Sequence, residues 1–210
     1  MCGPAAELDG GWGRLYLKRR DGEERMIALL LAPGFEEVEA VTPADFLRRA
    51  GLDLRLVGVG DTLVEGGHGI PIRADLRLED LDEEPDAVIV PGGMPGAENI
   101  AASLAALSLI RKTHDRDRLV AAICAAPAVV LSQTGILAGR RVTCFPGYED
   151  RLEDCTFVED RVVVDGNLVT SRGAGTAAEF AVKVIEILLG RDAAEQVHER
   201  TLQGWSLARG

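Results

Sequence analysis

Three short runs in this chain are almost wholly apolar, and each stops on small residues. They are MIALLLA at 26–32 before Pro33-Gly34, DAVIV at 86–90 before Pro91-Gly92-Gly93, and LVAAI at 119–123 before Cys124-Ala125-Ala126. A strand with one wet face alternates polar and apolar residues. These runs do not alternate, so each is expected to be buried on both faces, as in a parallel sheet with helices on either side. That predicts an α/β fold with a largely parallel sheet.

The segments between the runs fit this reading. Residues 36–49 predict a helix, with Val38, Val41, Ala44, Phe46 and Leu47 as its apolar face and acids in its first turn. Gly51 ends it, and 52–59 is a second strand. Residues 63–76 contain Gly66-Gly67 and read as a hairpin-like excursion. Two short helices reach about Thr113, 126–132 is helical and 141–144 is a short strand. Residues 161–165 and 168–171 flank Gly166-Asn167, a two-residue hairpin turn. A helix over 176–189 opens on the pattern Thr176-x-x-Glu179 of a capping box, and 192–202 is a last amphipathic helix. Residues 1–25 lack periodicity and are expected to form a disordered extension or to reflect an early start. Residues 26–202 form one domain and 203–210 a loose tail.

The 210 residues carry a net charge of −11, which disfavours nucleic acid and anionic membrane surfaces as partners. No apolar run reaches membrane-spanning length. Cys2, Cys124, Cys144 and Cys155 form no CxxC or His/Cys cluster, so no metal site is expected, and free thiols point to a cytoplasmic setting.

Ligands of parallel α/β sheets bind beyond the carboxyl ends of the strands. Four strand ends carry unusual residues there: 33–36, 91–94, 124–126 and 172–175. A strand, a small-residue turn and a helix with Pro127 near its start have the layout of a nucleophile elbow, with Cys124 as the nucleophile. A helix N-terminus behind the sulfur is expected to lower its pKa. Glu36, Glu37 and Glu39 follow the first strand at the same edge. One of them could reach the sulfur, and their spacing does not choose among the three. Gly92-Gly93 could present N–H groups to an oxyanion together with the N–H after Cys124. GAGTAA at 173–178 fits a dinucleotide fingerprint only formally, because neither a strand nor an acidic ribose partner follows.

The segments APGFEEVEAVTPADFLRRAG, DAVIVPGGMPGAENI, LVAAICAAPAVVL and GNLVTSRGAGTAAEFAVKVIEIL together resemble the ThiJ/PfpI superfamily. The resemblance is to the branch that contains the Parkinson-linked protein deglycase and its bacterial chaperone-like relatives. It implies a flavodoxin-like three-layer sandwich and a homodimer with Glu36 and Arg49 near the interface. It makes Cys124 the reactive cysteine, Glu39 the carboxyl at the sulfur, and the N–H groups of Gly93 and Ala125 the oxyanion donors. It implies glyoxalase or deglycase action on dicarbonyls such as methylglyoxal or on their protein adducts, without metal or organic cofactor. A redox-responsive chaperone acting through Cys124 is the rival implication. Phe145 stands where some members carry a histidine, and Ala125 where protease-like members do, which argues against peptidase activity. His68 aligns with an arginine that reaches the partner subunit's site.

Overall fold

The computed structural model describes residues 25–204. The expectations for residues 1–24 and 205–210 lie outside the described residues. A seven-stranded sheet runs β10-β11-β7-β6-β1-β2-β5. Its members are β1 (Met26–Leu31), β2 (Asp53–Gly58), β5 (Leu76–Arg77), β6 (Ala87–Val90), β7 (Leu119–Ile123), β10 (Val162–Asp165) and β11 (Leu168–Ser171). All neighbouring pairs are parallel except β10–β11, the hairpin closed by Gly166-Asn167.

The unbroken apolar runs are explained by two cores, one on each face. Ile27, Leu29 and Leu31 of β1, Ala87 and Ile89 of β6, and Ala121 and Ile123 of β7 pack on one side. There they meet α1 (Glu37–Arg49), α5 (Ala177–Leu189) and α6 (Arg191–Arg200) through Leu47, Phe180 and Val197. Ala28 and Leu30, Val88 and Val90, and Val120 and Ala122 point the other way. They meet α2 (Gly96–Ala101), α3 (Leu104–Asp115) and α4 (Ala126–Val129) through Ile100, Ile110 and Val129. Each fully buried side chain of this size contributes about 1.5–3 kcal/mol.

Several local expectations change. Helix α1 buries Ala40, Pro43, Ala44, Phe46 and Leu47 but leaves Val38 and Val41 about half exposed. The sheet meets only one side of the helix, and these two valines fall on the other. Strand β8 (Arg141–Val142) is shorter than expected and pairs with β9 (Thr156–Phe157), which the sequence reading missed. Thr176 does not form a capping box with Glu179. Its hydroxyl accepts from Gly173 N (3.1 Å), donates to Gly173 O (2.8 Å) and bonds Ser171 Oγ (2.6 Å). Glu179 is taken by Arg161, which arrives from before β10 and donates to it at 2.8 Å.

The excursion is a small hairpin of β3 (Leu63–Glu65) and β4 (Pro71–Arg73). It folds over the entry to α1: Gly34 N donates to Glu65 O (2.8 Å) and Gly67 N to Phe35 O (2.7 Å). Among the described residues no helix is long and apolar enough to cross a membrane.

Candidate active site

The carboxyl ends of β1, β6, β7 and β11 converge. Cys124 leaves β7 with φ 65°, a left-handed conformation that a residue bearing a Cβ adopts at a cost. The turn is held from both sides: Cys124 N donates to Ser171 O (2.9 Å), and Cys124 O accepts from Phe145 N (2.8 Å). This is the strained strand–helix elbow expected from the sequence.

Glu39 reaches the sulfur from the first turn of α1, and its residue is only 1% exposed. Helix geometry separates the three acids. Glu36 is the N-cap and accepts from Glu39 N (2.7 Å). Glu37 turns toward the hairpin, where its carboxylate accepts from His68 N (2.7 Å) and meets His68 Nδ1 (2.7 Å). Glu39 points inward, bonds the Cys124 thiol and the N–H of Ala174, and accepts from Gly92 N at 2.9 Å. Ala174 was not foreseen as a donor. The Gly173–Gly175 loop that offers it had read only as a helix start.

The backbone N–H groups of Gly93 and Ala125 both point at the sulfur. Gly92 must be glycine by space: a Cβ there would lie 2.6 Å from Cys124 Cβ and 2.8 Å from Glu39 Oε2. Gly173 leaves room for the Phe145 ring, which a Cβ would meet at 3.2 Å. Phe145 is 44% exposed, so its ring forms part of an open wall.

Burial raises the Glu39 carboxyl to about 7, with the charge of Glu36 adding to the effect. Burial, followed by the Glu39 charge and hydrogen bond, pushes the Cys124 thiol up to about 12. The expected lowering does not occur. Helix α4 has only four residues and a weak dipole, and the Gly93 and Ala125 N–H groups offset only part of the burial. The two side chains touch and titrate as a pair, which loses one proton near neutrality and keeps the other far into base.

His68 is mostly exposed, and its Nδ1 is committed to Glu37 of its own chain. Arg49 sits on the last turn of α1 and pairs with Asp45 at 2.6 Å. The polar atoms of the Cys124–Glu39 arrangement are paired by protein donors.

This fold and geometry define a flavodoxin-like α/β sandwich with a cysteine elbow and a buried carboxyl at the sulfur. Residues 25–187 match the DJ-1/PfpI family, and the chain belongs to it. It is 39% identical over 175 residues to the Parkinson disease protein 7 homolog of Danio rerio, covering 80% of this chain and 92% of the relative. It is 36% identical to the glutathione-independent glyoxalase DJR-1.2 of Caenorhabditis elegans, covering 78% of this chain and 89% of that protein. Protein DJ-1 homolog B of Arabidopsis thaliana is 40% identical over 82% of this chain, and the chain spans only 40% of that relative's length. Among solved structures, oxidized Toxoplasma gondii DJ-1 superposes with a TM-score of 0.84 at 34% identity, covering 86% of this chain and all of that one.

Proposed function

We propose that the protein is a cofactor-independent enzyme of glyoxalase or deglycase type, acting on reactive dicarbonyls or their protein adducts with Cys124 as nucleophile. The observation that carries this reading is the buried Glu39 carboxyl bonded to the Cys124 thiol on a left-handed elbow. The glyoxalase named among the relatives supports it.

In the singly protonated pair, Glu39 is the base. It takes the thiol proton as sulfur adds to the aldehyde carbon of methylglyoxal. The S–C bond forms, the carbonyl π bond breaks, and the N–H groups of Gly93 and Ala125 stabilise the new alkoxide. Glu39 returns its proton to that oxygen, giving a hemithioacetal. Glu39 then moves the carbon-bound proton from C1 to C2 while the hydroxyl proton passes from the C1 oxygen to the C2 oxygen, which leaves a lactoyl thioester. Water hydrolyses the thioester to lactate and restores the thiol. Atoms balance with one added water, and the oxidation of one carbon matches the reduction of its neighbour.

The exposed valines of α1, with Ile70 of the hairpin loop, support a homodimer, since they leave apolar surface beside the groove between α1 and β4. Glu36 caps that helix and Arg49 ends it. A cytoplasmic setting accords with the free thiols. A second reading has support in the two N–H groups at the sulfur, which could equally hold the oxygens of a sulfinate formed by peroxide and so make Cys124 a redox sensor. Conversion of methylglyoxal to lactate by purified protein, abolished in Cys124→Ser, tests the first reading. No turnover by intact protein, with Cys124 still oxidised by peroxide, would leave the second.

A further inference from the structure

Cys124 and Glu39 carry the chemistry proposed above, and that chemistry makes no use of the Phe145 ring beside them. The Phe145 N–H donates to Cys124 O at 2.8 Å, so the residue is tied to the elbow. Its ring lies against Gly173. A Cβ built there would meet two ring carbons at 3.2 and 3.5 Å and Glu39 Oε1 at 3.8 Å. One absent side chain therefore separates the ring from the carboxyl at the sulfur. The ring is also braced. Tyr148 meets it edge to face, with centroids 6.4 Å apart and planes at 73°. Tyr148 packs in turn on the core beneath α2 and α4, and the Arg151 guanidinium lies 5.3 Å from its ring centroid. Phe145 nevertheless stays half-exposed.

A single exposed apolar residue is ordinary on a protein surface. Phe145 differs in being fixed from two directions beside a sulfur. Its loop follows β8 and belongs to neither α1 nor the hairpin, where the dimer contacts are proposed. Met94 adds apolar surface: it directly follows Gly93, whose N–H points at the sulfur, and it is 37% exposed. A phenylalanine side chain has no hydrogen bond to give a carbonyl oxygen, so what it can recognise is apolar area. The two acids Glu36 and Glu39, joined through Glu39 N at 2.7 Å, disfavour an anionic substituent. We propose that Phe145 is a specificity-determining residue whose ring takes the aryl group of an arylglyoxal, so that the site favours arylglyoxals over methylglyoxal. A methyl group is too small to cover the ring, whereas a phenyl group stacks on it. This rests on the dicarbonyl reading above and names its substrate class. Phenylglyoxal would follow the same steps with phenyl in place of methyl, and one added water would give mandelate.

The test needs a readout that does not depend on turnover. Purified full chain is alkylated with 2-bromoacetophenone or with bromoacetone, and the rate is read by mass spectrometry on the peptide that carries Cys124. In each case the S–C bond forms, the C–Br bond breaks, bromide leaves and Glu39 takes the thiol proton. The aryl-to-methyl rate ratio is divided by the same ratio for glutathione, which removes the reagents' own reactivity. It is taken within one protein, so a general loosening of the elbow cancels. Wild type should exceed the free thiol by about 2- to 13-fold, the usual worth of an aromatic pair. Phe145→Leu should bring the ratio down to that of the free thiol, and Phe145→Tyr should keep it. The kcat/KM ratio of phenylglyoxal to methylglyoxal, followed as mandelate and lactate, should fall in Phe145→Leu by the same factor. A wild-type alkylation ratio equal to the free thiol's would overturn the proposal, as would a ratio unchanged in Phe145→Leu. Aryl preference in alkylation with no turnover of either dicarbonyl would instead sink the enzymatic reading and leave the aryl site standing.

Discussion

Gly92→Ala tests the packing of the site directly. The added methyl carbon would lie 2.6 Å from Cys124 Cβ, 2.8 Å from Glu39 Oε2 and 3.0 Å from Ala125 N. Two of these three neighbours belong to the elbow, whose path is pinned by the bonds of Cys124 to Ser171 and Phe145. Relief therefore has to come from moving Glu39 or from bending the elbow. Overpacking of this kind costs about 1–3 kcal/mol. For a chain of this size each kcal/mol lowers Tm by about 2–4 °C, so the variant should melt about 2–12 °C below wild type. A displacement of about 1 Å between the sulfur and its base is enough to slow the chemistry by about a hundredfold. Gly175→Ala is the control, because a Cβ there meets nothing within 4 Å. It should be neutral or stabilising by about 0.4–1 kcal/mol through the unfolded chain. Thermal melting by circular dichroism reads the first effect, and the rate of Cys124 alkylation by iodoacetamide the second. If Gly92→Ala melts and alkylates like Gly175→Ala, the claim that space dictates this glycine is wrong.

Three further outcomes are expected. In wild type, Cys124 alkylation should rise through pH about 7, as Glu39 loses its proton and becomes able to accept the thiol's. Glu39→Gln should abolish that limb, while the thiol, freed of a neighbouring negative charge, ionises below its wild-type value of about 12; a limb that persists in the variant would exclude Glu39 as the base. Mass spectrometry after brief labelling near neutrality should find Cys124, which has the Glu39 carboxyl at its sulfur, modified ahead of Cys144, whose residue is fully buried. Glu37→Gln should weaken the tie between hairpin and α1 by about 1.5–3 kcal/mol, the usual worth of a hydrogen bond to a charged group. Amide exchange at His68 and Ile70 should then quicken while β6 is unaffected, and unchanged exchange would show that the carboxylate does not anchor the hairpin.

The sheet was legible because burial on both faces leaves a mark that local pattern carries: AVIV and LVAAI admit few other settings. The elbow was legible for a related reason, since Cys124 follows a buried strand and only small residues follow Cys124. Other features depend on what arrives from elsewhere in the chain. Val38 and Val41 fit a helical apolar stripe, yet the sheet meets only one side of α1 and leaves them outside. Thr176 and Glu179 have capping-box spacing, but Arg161 reaches Glu179 first, and the Thr176 hydroxyl turns back to Ser171 and Gly173. The choice of Glu39 over its neighbours needed the family resemblance. The structure gives it a geometric basis, in the helical turn that sends Glu37 to the hairpin and Glu39 to the sulfur. The direction of the thiol shift was misread because a helix start was credited with more field than a four-residue helix provides.

The left-handed turn at Cys124 also bears on how such a chain can change over generations. A side chain in that conformation costs about 1–2 kcal/mol that glycine would not. Cysteine and glycine codons differ by a single base, so a mutation that silences the sulfur at this position also relaxes the backbone. Against that relief stand glycine's greater loss of chain entropy and the loss of the sulfur as a partner for the buried Glu39 carboxyl. The strain and the contact oppose each other at one position, so the backbone there is set by the chemistry of the side chain and not by the ease of the turn.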